Sequence, residues 1–244
     1  MKIKKLVLSP DHEDVMYIDH LVLSANNPTT HKVSLIRVDT VFTDVDGFPI
    51  SSDTHLEYLE EDDAISPGQR TKKVSLSDAR VAGHPKASSY STVAVSCTVS
   101  LFAEERYYFP DVPAPSSDGD SVVVETMAVD SAVLDGPMRA TIRRTGDCAD
   151  TTSLDCAVCA RNGSDIHVSI VKLRCLILPS HGYGVLDELI EEAPLYAKTT
   201  GCISVSNEYV SVAALNQGRV RLSVHVYRPV HTALCSATTT IMES

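Results

Sequence analysis

Cys156-Ala-Val-Cys159, Asp44-Val-Asp-Gly47 and nine histidines are the residues of this chain whose types could do chemistry. A Cys-x-x-Cys pair offers two thiolates to zinc or to a reversible disulfide. Zinc needs a second pair of ligands, however, and a redox thiol of low pKa needs a helix N-terminus beside it. Neither accompanies Cys156 and Cys159. The two lie in the strand-like stretch that repeats Leu21–Ser24, and side chains three apart on a strand point to opposite faces, so packing is the expected role of both.

Asp44 and Asp46, with Asp39 and the run Glu60-Glu-Asp-Asp63 nearby, carry the oxygens that calcium takes. A calcium loop also demands further ligands and a closing glutamate at fixed positions, which are missing here; a hairpin turn and a solvated acidic loop are expected instead. The histidines show no His-x-His or His-Glu-x-x-His spacing. His225 and His231 are near one another, but Pro229 between them reads as a turn and further ligands are lacking. Asn162-Gly-Ser164 spells a glycosylation sequon that matters only in a secreted chain, and it reads equally as a hairpin turn. No Gly-x-Ser-x-Gly elbow, phosphate loop or dinucleotide fingerprint occurs. The expectation is a protein with no catalytic residue, no cofactor and no bound metal.

The elements that would hold any such group are strands. Val, Ser and Thr are frequent, Trp is absent, and long Ala/Leu/Glu/Lys stretches are scarce. At 244 residues the chain has room for two ordinary domains, each able to bury a core. The net charge of −11 argues against a nucleic-acid partner, because phosphate binding needs clustered Lys and Arg. Lys2, Lys4 and Lys5 form the one basic cluster and read as a solubilising start to the first strand. Leu6-Val-Leu8 is too short for a secretory leader, and no run approaches the ~18 apolar residues of a membrane span. A cytoplasmic protein is expected. The seven cysteines, Cys97, Cys148, Cys156, Cys159, Cys175, Cys202 and Cys235, are odd in number and crowded into the second half, unlike a framework of matched pairs. Buried reduced thiols are expected, with one bridge in the second half, for instance at Cys148, as the alternative.

The strongest organisational signal is an internal repeat at an offset of 135 residues, the distance from Asn27 to Asn162. It aligns Leu21–Phe42 with Cys156–Ile177 without gaps: Val33-Ser34 meets Val168-Ser169, and Leu35-Ile-Arg-Val38 meets Ile170-Val-Lys-Leu173. Gly47 meets Gly182. With a shorter intervening segment, Val74-Ser-Leu-Ser77 answers to Ile203-Ser-Val-Ser206, and Val93, Val95 and Val99 answer to Val220, Leu222 and Val226. Agreement in order across four separated strands points to a duplicated domain, of a size too long for a solenoid unit.

Residues 1–110 and 121–244 are read as the two copies. The linker is 111–120, where prolines stiffen the chain and Ser, Asp and Gly keep it in water. Within the copies, Val93, Val95, Cys97 and Val99 share one strand face, and Val220, Leu222, Val224 and Val226 oppose Arg219, Arg221, Ser223 and His225. Turns are expected at Asn26-Asn-Pro28, Asp46-Gly47, Ser66-Pro-Gly68, Asn162-Gly163 and Asn216-Gln-Gly218. The spacing predicts a single helix, Val185 to Ala197, in the loop that corresponds to Ser51–Asp63 of the first copy.

The first copy carries Asn26-Asn-Pro28, Val33-Ser-Leu-Ile-Arg-Val38, Phe42-Thr-Asp-Val-Asp-Gly47 and Ile65-Ser-Pro-Gly68 in that order, and so resembles the immunoglobulin-like sandwich domains of the FxLYD and late-embryogenesis type. That resemblance covers about half of the copy and implies a binding or structural module without an active site. The fold expected is all-β: two tandem immunoglobulin-like antiparallel β-sandwich domains. The expected function is a non-catalytic interaction module or scaffold whose partner is a protein, including another copy of the chain through edge strands. An arrestin-like adaptor with packed sandwiches, and a metal-binding protein or enzyme using His and Cys of the second half, are the alternatives.

Overall fold

The computed structural model describes residues 2–10, 16–24, 26–44, 46–69, 74–76, 79–81, 92–126, 131, 133–148, 150–178, 187–216 and 218–240. They are all-β, with antiparallel pairing throughout and one five-residue helix, α1 (Val212–Asn216). The chain divides into two compact units, Met1–Glu104 with Pro229–Ser244, and Glu105–Arg228. The segment read from the sequence as 121–244 is thus shared, its last residues grouping with the first unit.

In the first unit β1 (Lys2–Pro10) pairs with β2 (Met16–Ser24), which also pairs with β5 (Val74–Leu76) and β6 (Ala79–Val81). Lys2, Lys4 and Lys5 are on β1. A second set places β3 (Val33–Thr43) between β4 (Pro49–Tyr58) and β7 (Thr92–Tyr108), whose residues to Glu104 belong here. Alternation along these strands sends Ile36, Val38, Phe42, Cys97, Val99 and Leu101 into the core. The Ser51–Asp63 stretch, expected as a crossing loop, is mostly strand β4, because the outer edge of β3 takes a partner along its length.

The second unit has two antiparallel sheets that share one core. One runs β9 (Ser121–Glu125), β10 (Arg139–Cys148), β11 (Thr151–Arg161), β14 (Thr200–Ser211). The other runs β13 (Asp187–Leu195), β12 (Val168–Leu178) and β15 (Arg219–Thr240), the last belonging to this unit as far as Arg228. Ala140, Ile142, Leu154 and Val158 from the first sheet meet Leu173, Ile177, Leu222 and Val224 from the second.

Several sequence expectations change here. Residues 187–195 of the predicted helix form a strand: β12 needs a partner for its outer backbone groups, and the pairing Cys175↔Leu189 through Val168↔Leu195 supplies it. Pro229 lies inside β15 and marks no turn. Ser223 and His225, expected on the face of β15 that meets solvent or a partner, are buried and bonded to each other, Oγ to Nε2 at 3.1 Å. The expected linker packs within the second unit, where β8 (Val112–Pro113) pairs with β15 and Arg221 grips Asp111 with two bonds of 2.8 Å. The His181-Gly182 counterpart of the Asp46-Gly47 turn lies outside the described residues.

Two buried asparagines, 135 positions apart, organise the corners before β3 and β12. Asn27 Nδ2 donates to the carbonyls of His31 (2.7 Å) and Ile65 (2.8 Å), while its Oδ1 accepts from the amide and hydroxyl of Thr29. Asn162 Nδ2 donates to Ile166 (2.8 Å) and Leu195 (3.3 Å), and its Oδ1 accepts from the amide and hydroxyl of Ser164. Each joins a local turn to a distant strand or bridge, so truncation strands buried carbonyls. Asn27→Ala and Asn162→Ala are each expected to cost about 2–3 kcal/mol. Hydrogen exchange would localise each loss: faster amides near Val33 and Ile65 in the first variant, and near Val168 and Leu195 in the second.

Candidate functional site

The structure disperses the residues with chemical potential. Cys156 and Cys159 point to opposite faces of β11, as expected for a strand: Cys156 is buried and Cys159 sits on the outer face. Cys159 is not a reduced thiol, however. Register places it directly opposite Cys202 on β14, and the two form a disulfide. Asp44 Oδ1 accepts from the amides of Asp46 (3.0 Å) and Phe48 (2.8 Å), which makes it the staple of its turn, and Gly47 takes the positive φ of 82° that the turn requires. Asp39 is bound to Arg37 and Thr54, and the backbone of Glu60 closes the acidic turn onto Asp63 and Ala64. His231 reaches the carbonyl of Asn26 at 2.8 Å, while His225 faces Ser223. Among the described residues no group of three or more His, Cys, Asp or Glu could hold a metal. The side-chain amide of Asn162 is buried within its corner, which removes the sequon from reach of a glycan.

Sequence reasoning missed one charged cluster. Glu105, buried on β7, accepts from Tyr107 Oη (2.6 Å) and Ser131 Oγ (2.7 Å) and lies 3.7 Å from Arg228 Nε. Burial, and then the bond to Glu105, hold the Tyr107 hydroxyl well above the usual phenol range. With Glu105 buried at its centre, the cluster works as a clamp. Its signal in the sequence is Glu104-Glu105-Arg106 inside an otherwise strand-like run.

The feature with the geometry of a site is the edge strand β9. Its inner side bonds to β10 in the register Ser121↔Arg143, Val123↔Thr141, Glu125↔Arg139, and among the described residues it pairs with no other strand. Both ends are held. At the start, Asp120 accepts from Ser116 Oγ (2.8 Å), Ser117 Oγ (2.7 Å) and the Ser117 amide (3.1 Å). The Ser117 hydroxyl, then Ser116, keep the Asp120 carboxyl below the usual range. At the far end Thr126 and Met138 exchange bonds of 3.0 Å.

Beneath the entry, Arg144 reaches from β10 to the carbonyl of Ser116 (2.8 Å), the carbonyl of Pro115 and Asn216 Oδ1, although it is only 2% exposed. Val124 packs on the core while Val123 is 47% exposed. The outer face beside it continues through Thr141, Ala157 and Ser204, with Glu125–Arg139–Cys159–Cys202 and Ser121–Arg143–Asp155–Ser206 as flanking rows. Asp155 accepts from Ser206 Oγ.

Two other edge strands, β13 and β4, carry devices that strands commonly use against pairing. β13 carries Glu188, Glu191, Glu192 and Pro194, and Glu188 is bound to Arg174. β4 opens on Pro49 and carries Asp53 and Glu57. β9 carries no proline, and its one charged residue, Glu125, is its last.

The described residues therefore define an all-β protein of antiparallel sheets with an open, anchored strand edge, and no helix among them is long and apolar enough to cross a membrane. No protein-family model matches the chain, and no curated protein matches it. Two solved structures of the exo-chitosanase CsxA from Amycolatopsis orientalis, one of them a point variant in complex with PNP-beta-D-glucosamine, are similar at 15% identity, with TM-scores of 0.26 and 0.25. The matches cover 95% of this chain and 26% of the enzyme's, so the chain spans little of that protein's length.

Proposed function

We propose that this protein is a non-catalytic interaction module that pairs an extended protein segment with the open edge of β9, and that its two units are copies of one immunoglobulin-like β-sandwich. The observation that carries the first reading is the edge itself: Ser121-Val-Val-Val-Glu125 is anchored at both ends, exposes Val123, and carries no proline and a single charge at its end. Backbone groups along such an edge supply affinity, and alternate side chains supply specificity. The duplication is supported by the paired asparagine corners and by the eleven-residue strands β3 and β12 that follow them. The Cys159–Cys202 bridge favours an oxidising compartment over the cytoplasm expected from the sequence.

A second copy of the chain is the partner this edge fits. Antiparallel pairing centred on Val123 sets Ser121 against Glu125 and Val122 against Val124, so no like charges are opposed, whereas the same operation on β13 would set Glu191 against itself. Light scattering on the full chain tests it. The expected result is a dimer whose mass falls to that of the monomer in Val123→Lys, with the circular dichroism unchanged. Concentration-dependent protection of the amides of residues 121–125 should accompany the dimer. A wild type that stays monomeric at every concentration, with those amides exchanging as in Val123→Lys, would sink the second-copy reading.

A further inference from the structure

Cys156 lies midway along β11 and Cys175 midway along β12, in opposite sheets of the second unit, and both are fully buried. Their Sγ atoms are 3.3 Å apart across the core. We propose that this pair is a disulfide site, at which oxidation joins the two sheets of the second unit through their shared interior. A disulfide S–S bond is about 2.04 Å long, so closure asks for an approach of little more than ~1 Å, within reach of small side-chain rotations.

The step balances as a thiol–disulfide exchange with a small disulfide oxidant such as oxidised glutathione. One protein thiol loses its proton, and the thiolate attacks the oxidant, forming a mixed disulfide and releasing one small thiolate. The second protein thiol, deprotonated in turn, attacks the protein sulfur of the mixed disulfide and releases the other small thiolate. Two electrons pass from the cysteine pair to the oxidant, and the two protons end on the two released thiols.

The two cysteine pairs of this unit differ in access. Cys159–Cys202 is on the outer face of its sheet, where exchange partners reach it. Cys156 and Cys175 are sealed, and the bond to Cys175, followed by burial, holds the Cys156 thiol well above the usual range. A folded, reduced pair is therefore slow to react, and the bridge forms while the sheets are still coming together. Once formed it is shielded from reductant in the same way, leaving the outer bridge as the labile one.

Peptide mapping decides the matter. The full chain is refolded in a buffer of reduced and oxidised glutathione, quenched with acid, denatured, alkylated and cleaved before aspartates. The fragments are then 155–164 with Cys156 and Cys159, 165–186 with Cys175, and 187–244 with Cys202 and Cys235, the last two parted by a further cut after Arg219; Cys148 is cut away separately. All three joined in one non-reduced species, about 2 Da lighter per bridge than the reduced sum, is the expected result. In Cys175→Ala the join of 155–164 to 187–244 should survive alone. Recovery of 165–186 from wild type as a separate peptide with alkylated Cys175, while the outer bridge has formed, overturns the proposal. So does a bond from Cys156 to Cys148.

Discussion

Replacing Arg144 with methionine is expected to lower the stability of the second unit by about 3 kcal/mol, because the guanidinium is removed while the groups it satisfies stay where they are. Arg144 is buried, yet its Nη1 binds the carbonyls of Pro115 and Ser116 and the Asn216 side chain, thereby tying the 115–120 loop and the end of α1 to β10. Methionine fills much of the volume and offers no donor. Arg144→Lys should lose less, since one ammonium can replace one bond of the fork but not its spread. The readout is the denaturant midpoint together with hydrogen exchange of Gly119 and residues 121–125. Gly119 donates to the Arg144 carbonyl at 2.9 Å, so the entry to β9 should loosen first. If Arg144→Met leaves the midpoint unchanged, the loop is held by other means and Arg144 does not anchor the entry to β9.

The second large effect belongs to the Cys159–Cys202 bridge. Its partners are separated by 43 positions, and chain-entropy reasoning for a loop of that size gives about 4 kcal/mol, of which engineered losses commonly show about 2–4. Cys159→Ala combined with Cys202→Ala should therefore shift the unfolding midpoint of the second unit strongly and leave the first unit where it was. Mild reductant applied to wild type should reproduce most of that shift, since the bridge lies on the outer face. Cys148→Ala is the control: Cys148 is exposed and free, and its loss should change nothing measurable. A double variant with an unaltered midpoint would mean that register alone holds β11 to β14.

Much of the strand structure was legible from the residues. The alternation read at Val220, Leu222, Val224 and Val226 returns as one buried face of β15, although Ser223 and His225 on its other face are buried too, and the opposed directions of Cys156 and Cys159 follow from the same two-residue period. The Asp46-Gly47 turn was legible because glycine accepts the positive φ that the hairpin demands. The sequence misled where one local pattern suited two outcomes. Leu189 and Ile190 beside glutamates fit a helix, but the vacant edge of β12 made the segment a strand, and Ile190 remains exposed on it. Pro229 suggested a turn, yet β15 passes through it.

By itself the sequence determined an all-β chain, the faces of its strands and the recurrence of its asparagine corners, since each depends on residues close together or on a repeated spelling. Only the tertiary structure decided that Cys159 meets Cys202, that Cys156 meets Cys175, that Asn162 is sealed rather than offered to a glycan, and that β9 has a single partner strand among the described residues. Those outcomes are set by pairing register and sheet packing between segments far apart in the chain, and a period of two residues carries no information about which distant strand will lie alongside.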